Sequence, residues 1–235
     1  MGRLGWEVVA AAAFVGSHLL LSHPLRRLLV GRVGEGGFAG IYSLVAAVTL
    51  VWLGWTFWSA PPGTPLWVAG DLLWALVTAV MLVAAALLVG SLVRNPALPT
   101  GGAPGQIPEA ARGVYAVTRH PMMWAVALWA GCHILAYPVA KSVVLSVAMA
   151  VLALGGAALQ DRKKEALQPD TWRVWESRTS YWPFAAILAG RARFGGLGAH
   201  VLGGGALVWL VATWAHIPLS GWAAGIWRWI RLPGA

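Results

Sequence analysis

Charge is what this sequence has least of. Asp, Glu, Lys and Arg make up 11% of its 235 residues, under half the share of about 25% carried by water-soluble domains. With 59% of residues hydrophobic, that scarcity excludes an ordinary soluble fold and points to an integral membrane protein in a lipid bilayer. Acidic residues are scarcer still: 8 against 17 basic ones, a net charge of +9. Such an excess would suit nucleic acid, but the basic residues lie in short loops between apolar runs, where they orient a chain in a bilayer. No nucleic-acid partner is expected. Cysteine is nearly absent too. The single Cys132 excludes an intramolecular disulfide, and no CxxCH motif offers covalent haem attachment. The opening MGRLGWEVV lacks the basic stretch of a cleaved signal, so the first apolar run is expected to be a retained helix.

What the chain has instead is long apolar runs and 16 tryptophans, rings suited to membrane interfaces. Windows long enough to cross about 30 Å of hydrocarbon fall near Val8–Leu25, Phe38–Trp58, Leu72–Val93, Pro121–Tyr137, Ser142–Gln160 and His200–Pro218. The expected fold is all-α, a single polytopic bundle of about six spans over the whole chain. Its joints are marked by Pro61-Pro62-Gly63, by PALPTGGAPGQIP from Pro96 to Pro108, and by Pro138. Of the 17 basic residues, 13 fall in odd-numbered loops, leaving only Arg3, Lys141, Arg228 and Arg231 elsewhere. The positive-inside rule then puts the odd loops in the cytoplasm and both termini outside. The tail GWAAGIWRWIRLPGA is expected along the outer interface.

Depth sorts the histidines. Counted from Val8, His18 lies about 15 Å into the first run; counted from Pro121, His133 lies about 18 Å into the fourth. His23 and His120 fall at the cytoplasmic face, and His200 and His216 at opposite ends of the last run. An imidazole in hydrocarbon needs a partner. A backbone carbonyl or a serine would serve. So would haem iron held between two neutral imidazoles, with Gly16, Ser17 and Gly131 leaving room for a flat ring. Zinc is disfavoured, since no Cys, Asp or Glu at that depth completes four ligands.

Three blocks carry a family resemblance: HLLLSHPLRRLLVGRVGEGGFAGIYSL from His18, TRHPMMWAVALWAGCH from Thr118, and SRTSYWPFAAILAGR from Ser177. The chain resembles the NnrU family of bacterial membrane proteins, which is related to plant and cyanobacterial 15-cis-zeta-carotene isomerase. The resemblance implies a haem b protein of the bacterial inner membrane, with axial ligands on His18 and His133. It also implies a link to denitrification and nitric oxide, through redox chemistry, a small gaseous ligand or a hydrophobic one, with cis-trans isomerisation as a further activity. The isomerase has an exchanging cysteine three residues before its second histidine. Here that position is Ala130, and Cys132 adjoins His133 about 100° round the helix, which puts a redox-driven ligand swap in doubt.

If haem is bound, its propionates need cationic partners, and Arg26, Arg27, Arg119 and His120 are the candidates at the cytoplasmic face. Otherwise these residues meet lipid headgroups, and Pro121 simply starts a helix. Arg119-His120-Pro121 also resembles the entrance of membrane isoprenylcysteine and phospholipid methyltransferases, which bind S-adenosylmethionine. Asp161, Glu165, Trp175, Arg178 and Pro183 would complete that alternative, although Met122-Met123-Trp124 departs from its pattern. Tyr42 and Ser43 read as helix-packing residues. A non-catalytic assembly factor, whose histidines only bridge helices, is the third reading.

Overall fold

The computed structural model describes residues 2–96 and 107–230. Most of the proline-rich third loop and Arg231 therefore lie outside the described residues. The fold is all-helical, built from α1 (Arg3–Ser22), α2 (Arg26–Ser59), α3 (Asp71–Ser91), α4 (Val114–Val117), α5 (Pro121–Ala136), α6 (Ala140–Leu167), α7 (Pro169–Arg178), α8 (Ala185–Leu188) and α9 (Ala199–Ser220), with a 3-10 turn at Gly225–Arg228.

Five helices, α1, α2, α3, α6 and α9, are long and apolar enough to cross a bilayer. The run counted as a fourth span, α5, has 16 residues, about 24 Å of helix against about 30 Å of hydrocarbon. Proline bounds it: Pro121 opens its first turn, and Pro138 follows the Tyr137 cap. Other ends fall outside the charge-free windows, because helices absorb charges near their termini. α1 starts at Arg3, whose Nη1 donates to Ser59 O at 3.3 Å. It carries Glu7 inside at 0% exposure, both carboxylate oxygens without a hydrogen-bond partner among the described residues. The stretch from Arg26, read as loop, is helical and joins the second span through a kink at Gly34, where φ 73 and ψ 174 suit only glycine.

Successive long helices alternate in direction. One end of the bundle gathers the start of α1, the ends of α2 and α5, and the starts of α3 and α6. There Lys141 Nζ reaches Ala60 O at 3.1 Å, Trp67 Nε1 donates to Leu135 O at 3.0 Å, and Arg228 Nη2 reaches Asp71 Oδ1 at 3.2 Å. Gly2, just ahead of α1, and the Gly225–Arg228 turn that follows α9 lie at this end.

Lipid is as apolar as leucine, so helices associate there by close packing of small residues rather than by expulsion from water. α3 supplies Ala84, Ala85, Ala86 and Gly90, all buried. Against it α9 sets Gly204 and Gly205; a Cβ on Gly205 would stand 2.8 Å from Ala86 Cα. One core joins α3, α5, α7 and α8 around Trp172, Trp175 and Tyr115, and a second joins α1, α2 and α6 around Phe14, Leu53 and Ala148. Several large apolar side chains of α2, among them Leu44, Val51 and Trp55, face outward, as they would toward lipid.

Candidate functional site

The structure does not bring His18 and His133 together. Met123 and Val126 of α5 line a cleft with His18, and His133 lies seven to ten residues further along that helix, about 10–15 Å away along its axis. The depth count from Val8 fails because α1 begins at Arg3, so His18 sits one turn from the Ser22 end while His133 sits near the opposite end of the bundle. Their ring neighbours differ accordingly. His18 meets Phe14 at 4.3 Å and Tyr42 at 5.5 Å between centroids; His133 meets Trp129 at 4.2 Å and His216 of α9 at 6.2 Å. One iron needs both ligating nitrogens within bonding distance, so a haem sandwiched between His18 and His133 does not fit this arrangement. Among the described residues, no group of three or more His, Cys, Asp or Glu gathers as a metal site. Cys132 points elsewhere, its Sγ 3.9 Å from Val77 O of α3.

What surrounds His18 is a cleft of about 250 Å³ between α1, α2, α5 and α6. Its walls are apolar (Leu19, Met123, Val126, Met149, Leu152), and its polar rim is His18, His23, Tyr42, Gln160 and Lys163. His18 Nδ1 lies 2.7 Å from Phe14 O. That bond holds the proton on Nδ1 and leaves the Nε2 lone pair as a base or ligand. His23 Nδ1 meets Ser22 Oγ at 2.7 Å, and its buried Nε2 has no hydrogen-bond partner among the described residues. Tyr42, read as a packing residue, is thus a cleft residue; its place in the same block as His18 and His23 was the one available signal. Lys163, Gln160 and the small Gly156 come from α6, where no pattern marks them.

The arginines and His120 have other work. Arg26 forks onto Glu35, with Nη2 at 2.9 and 2.8 Å from its two oxygens. Arg27 is exposed and makes no ion pair among the described residues. Arg119 gives Nε and Nη2 to Asp161 Oδ2 at 2.8 and 2.6 Å and also pairs with Glu176 at 3.1 Å. His120 Nε2 takes the other Asp161 oxygen at 2.7 Å. The knot extends to the third sequence block: Arg119 N donates to Ser180 O, Thr118 Oγ1 to Tyr181 O, Phe184 N to Val117 O, and Trp124 Nε1 to Tyr181 O. Burial, and a hydrogen bond shared with Glu165, push the Glu176 carboxyl up to about 7 against the pull of Arg119.

Within the methyltransferase-like set, Asp161 therefore joins Arg119 and His120, and Glu165 reaches them only through its hydrogen bond to Glu176. Trp175 is instead buried against Tyr115, and Arg178 Nη1 donates to Pro108 O at 3.2 Å. Arg119 is already matched by two carboxylates, so a ligand carboxylate or propionate there would have to displace one. The geometry is that of a clamp joining three elements.

Maize 15-cis-zeta-carotene isomerase, chloroplastic, is 35% identical over 81 residues, which is 34% of this chain and 22% of that protein. The chain thus matches about a fifth of the length of that curated relative. No solved structure matches. The NnrU protein family matches across residues 8–224, a stretch that takes in both cores, the cleft and the clamp, and the chain belongs to the NnrU family.

Proposed function

We propose that this chain is an isomerase-like membrane protein that takes a segment of an elongated apolar molecule into the His18 cleft. The observation that carries the reading is the cleft itself, largely apolar along α5 and α6, with the His18 and His23 imidazoles and the Tyr42 phenol in its lining. Sites that enclose a drug-sized ligand run to about 300–1,000 Å³. At about 250 Å³ this one holds part of a chain, the rest lying in lipid. The name of the maize relative, an isomerase of a carotene, agrees with a long apolar substrate. His18, with its proton fixed on Nδ1, presents Nε2 to the bound segment as base or ligand. The nitrogen-oxide role implied by the resemblance rests on an iron centre at His18 and His133, whereas the apolar-substrate reading needs only the cleft. The bundle runs through the cytoplasmic membrane with six passes, α5 included, and with both termini outside, as the basic residues of the odd loops direct.

The test uses the purified protein in lipid vesicles loaded with 15-cis-zeta-carotene, the cis-trans ratio being read by chromatography. Conversion by the unaltered chain, lost in Gly156→Trp and His18→Ala, supports the reading. A ratio equal to that of protein-free vesicles overturns it. A Soret band lost in both His18→Ala and His133→Ala would restore the haem pairing instead.

A further inference from the structure

His133 is not in the cleft, and its surroundings suggest a different use. Its ring faces His216, which α9 brings from more than 80 residues away; the centroids are 6.2 Å apart and the planes 30° from parallel. Each ring is anchored in the same way. His133 Nδ1 lies 2.8 Å from Trp129 O, and His216 Nδ1 lies 2.9 Å from Ala212 O, in both cases the carbonyl one turn back. A backbone carbonyl on Nδ1 fixes the tautomer and leaves the Nε2 lone pair free, the arrangement commonly found behind metal-bound imidazoles. Aromatic rings hold the pair from outside: Trp129 at 4.2 Å from His133, and Trp222 at 5.2 Å from His216, itself stacked with Tyr137. Neither histidine is fully buried, and both lie near helix ends, so water has access to the remaining positions of an ion.

Two imidazoles on opposite sides of one ion, each with a metal–nitrogen bond of about 2 Å, bring their centroids to about 6 Å. We propose that His133 and His216 together bind a divalent first-row transition-metal ion, with water in its open positions. Imidazole nitrogen is the ligand such ions favour. An ion here would join α5 to α9 at the end of the bundle where α1 starts and α9 finishes. The site is separate from the His18 cleft and does not rest on the isomerase reading.

The experiment is calorimetric titration of nickel(II) chloride, an ion that accepts two imidazoles on opposite sides, into protein purified without a histidine tag, in detergent micelles. The expected result is binding weakened at least about tenfold in each of His133→Asn and His216→Asn, and unchanged in His18→Asn. Thermal unfolding of the unaltered chain gives a readout that needs no variant: nickel raises its Tm and a chelator reverses the rise. Binding no tighter than in the His133→Asn/His216→Asn double variant, or a loss that follows His18→Asn instead, overturns the proposal. So does an unaltered Tm.

Discussion

The Arg119–Asp161 and Arg26–Glu35 ion pairs differ in environment, and that difference decides what each contributes. Arg119 and Asp161 have side-chain exposures of 13% and 10%, Arg26 and Glu35 of 25% and 66%. Removing one partner of a buried pair leaves an uncompensated charge and costs about 3–5 kcal/mol, while an exposed pair is worth about 0–1 kcal/mol. Asp161→Asn is therefore expected to lower the Tm in detergent strongly, since it removes the charge that Arg119 and His120 share and leaves Arg119 only Glu176. Glu35→Gln should barely move it. Glu176 gives a pH signature. Its folded carboxyl titrates at about 7, against an ordinary value of 4.5. The folded state thus holds a proton that the unfolded chain has released. Stability is greatest below about 4.5, falls as pH rises through 7, and levels off above. Unfolding midpoints measured from pH 5 to pH 8 should decline, and the decline should shrink in Glu176→Gln.

For the helices, glycine placement makes the clearest forecasts. Gly205 of α9 lies against the backbone of Ala86 in α3, so Gly205→Ala must push two helices apart, at about 1–3 kcal/mol. Gly203, one residue pair earlier on the same helix, has nothing within 4 Å of an added Cβ. Gly203→Ala should be neutral or should stabilise by up to about 1 kcal/mol. Thermal unfolding of the two variants side by side separates packing from propensity. Gly34→Ala puts a side chain at φ 73 and is expected to cost about 1–3 kcal/mol. These are also the features that apolar periodicity does not announce. Runs of Leu, Val and Ala marked the helices well, because backbone groups in lipid must be satisfied within the helix. They did not mark helix ends, because Arg3 and Lys141 reach back to carbonyls and helices continue past the charges.

Across the whole molecule, alternating helices put the start of α1 and the finish of α9 at one end of the bundle and the Arg119–Asp161 clamp at the other. Cysteines introduced at Gly2 and Gly221 should react with a membrane-impermeant thiol reagent from the same side of sealed vesicles, and one at Arg162 from the opposite side. Labelling of Gly2→Cys and Gly221→Cys from different sides would contradict the arrangement. The native Cys132 is buried and should leave the background low. The same scale explains why the sequence-predicted haem pair parts. α1 and α5 run in opposite directions, so equal counts into them share a level only where both counts reach the midplane. α1 begins five residues earlier than its charge-free window.

Sequence alone determined that this chain is an all-helical membrane protein, where its apolar segments lie, and which residues are chemically capable, because those properties follow from composition and local pattern. The Arg119 and His120 partnership with Asp161 was half visible in that all three were singled out, though as ligand contacts rather than a clamp. Only the tertiary structure decided that Tyr42 and Lys163 join His18 and that His133 faces His216. Which imidazoles meet depends on helix register and rotation, and these are set by close contacts such as Gly205 on Ala86, between residues far apart in the chain.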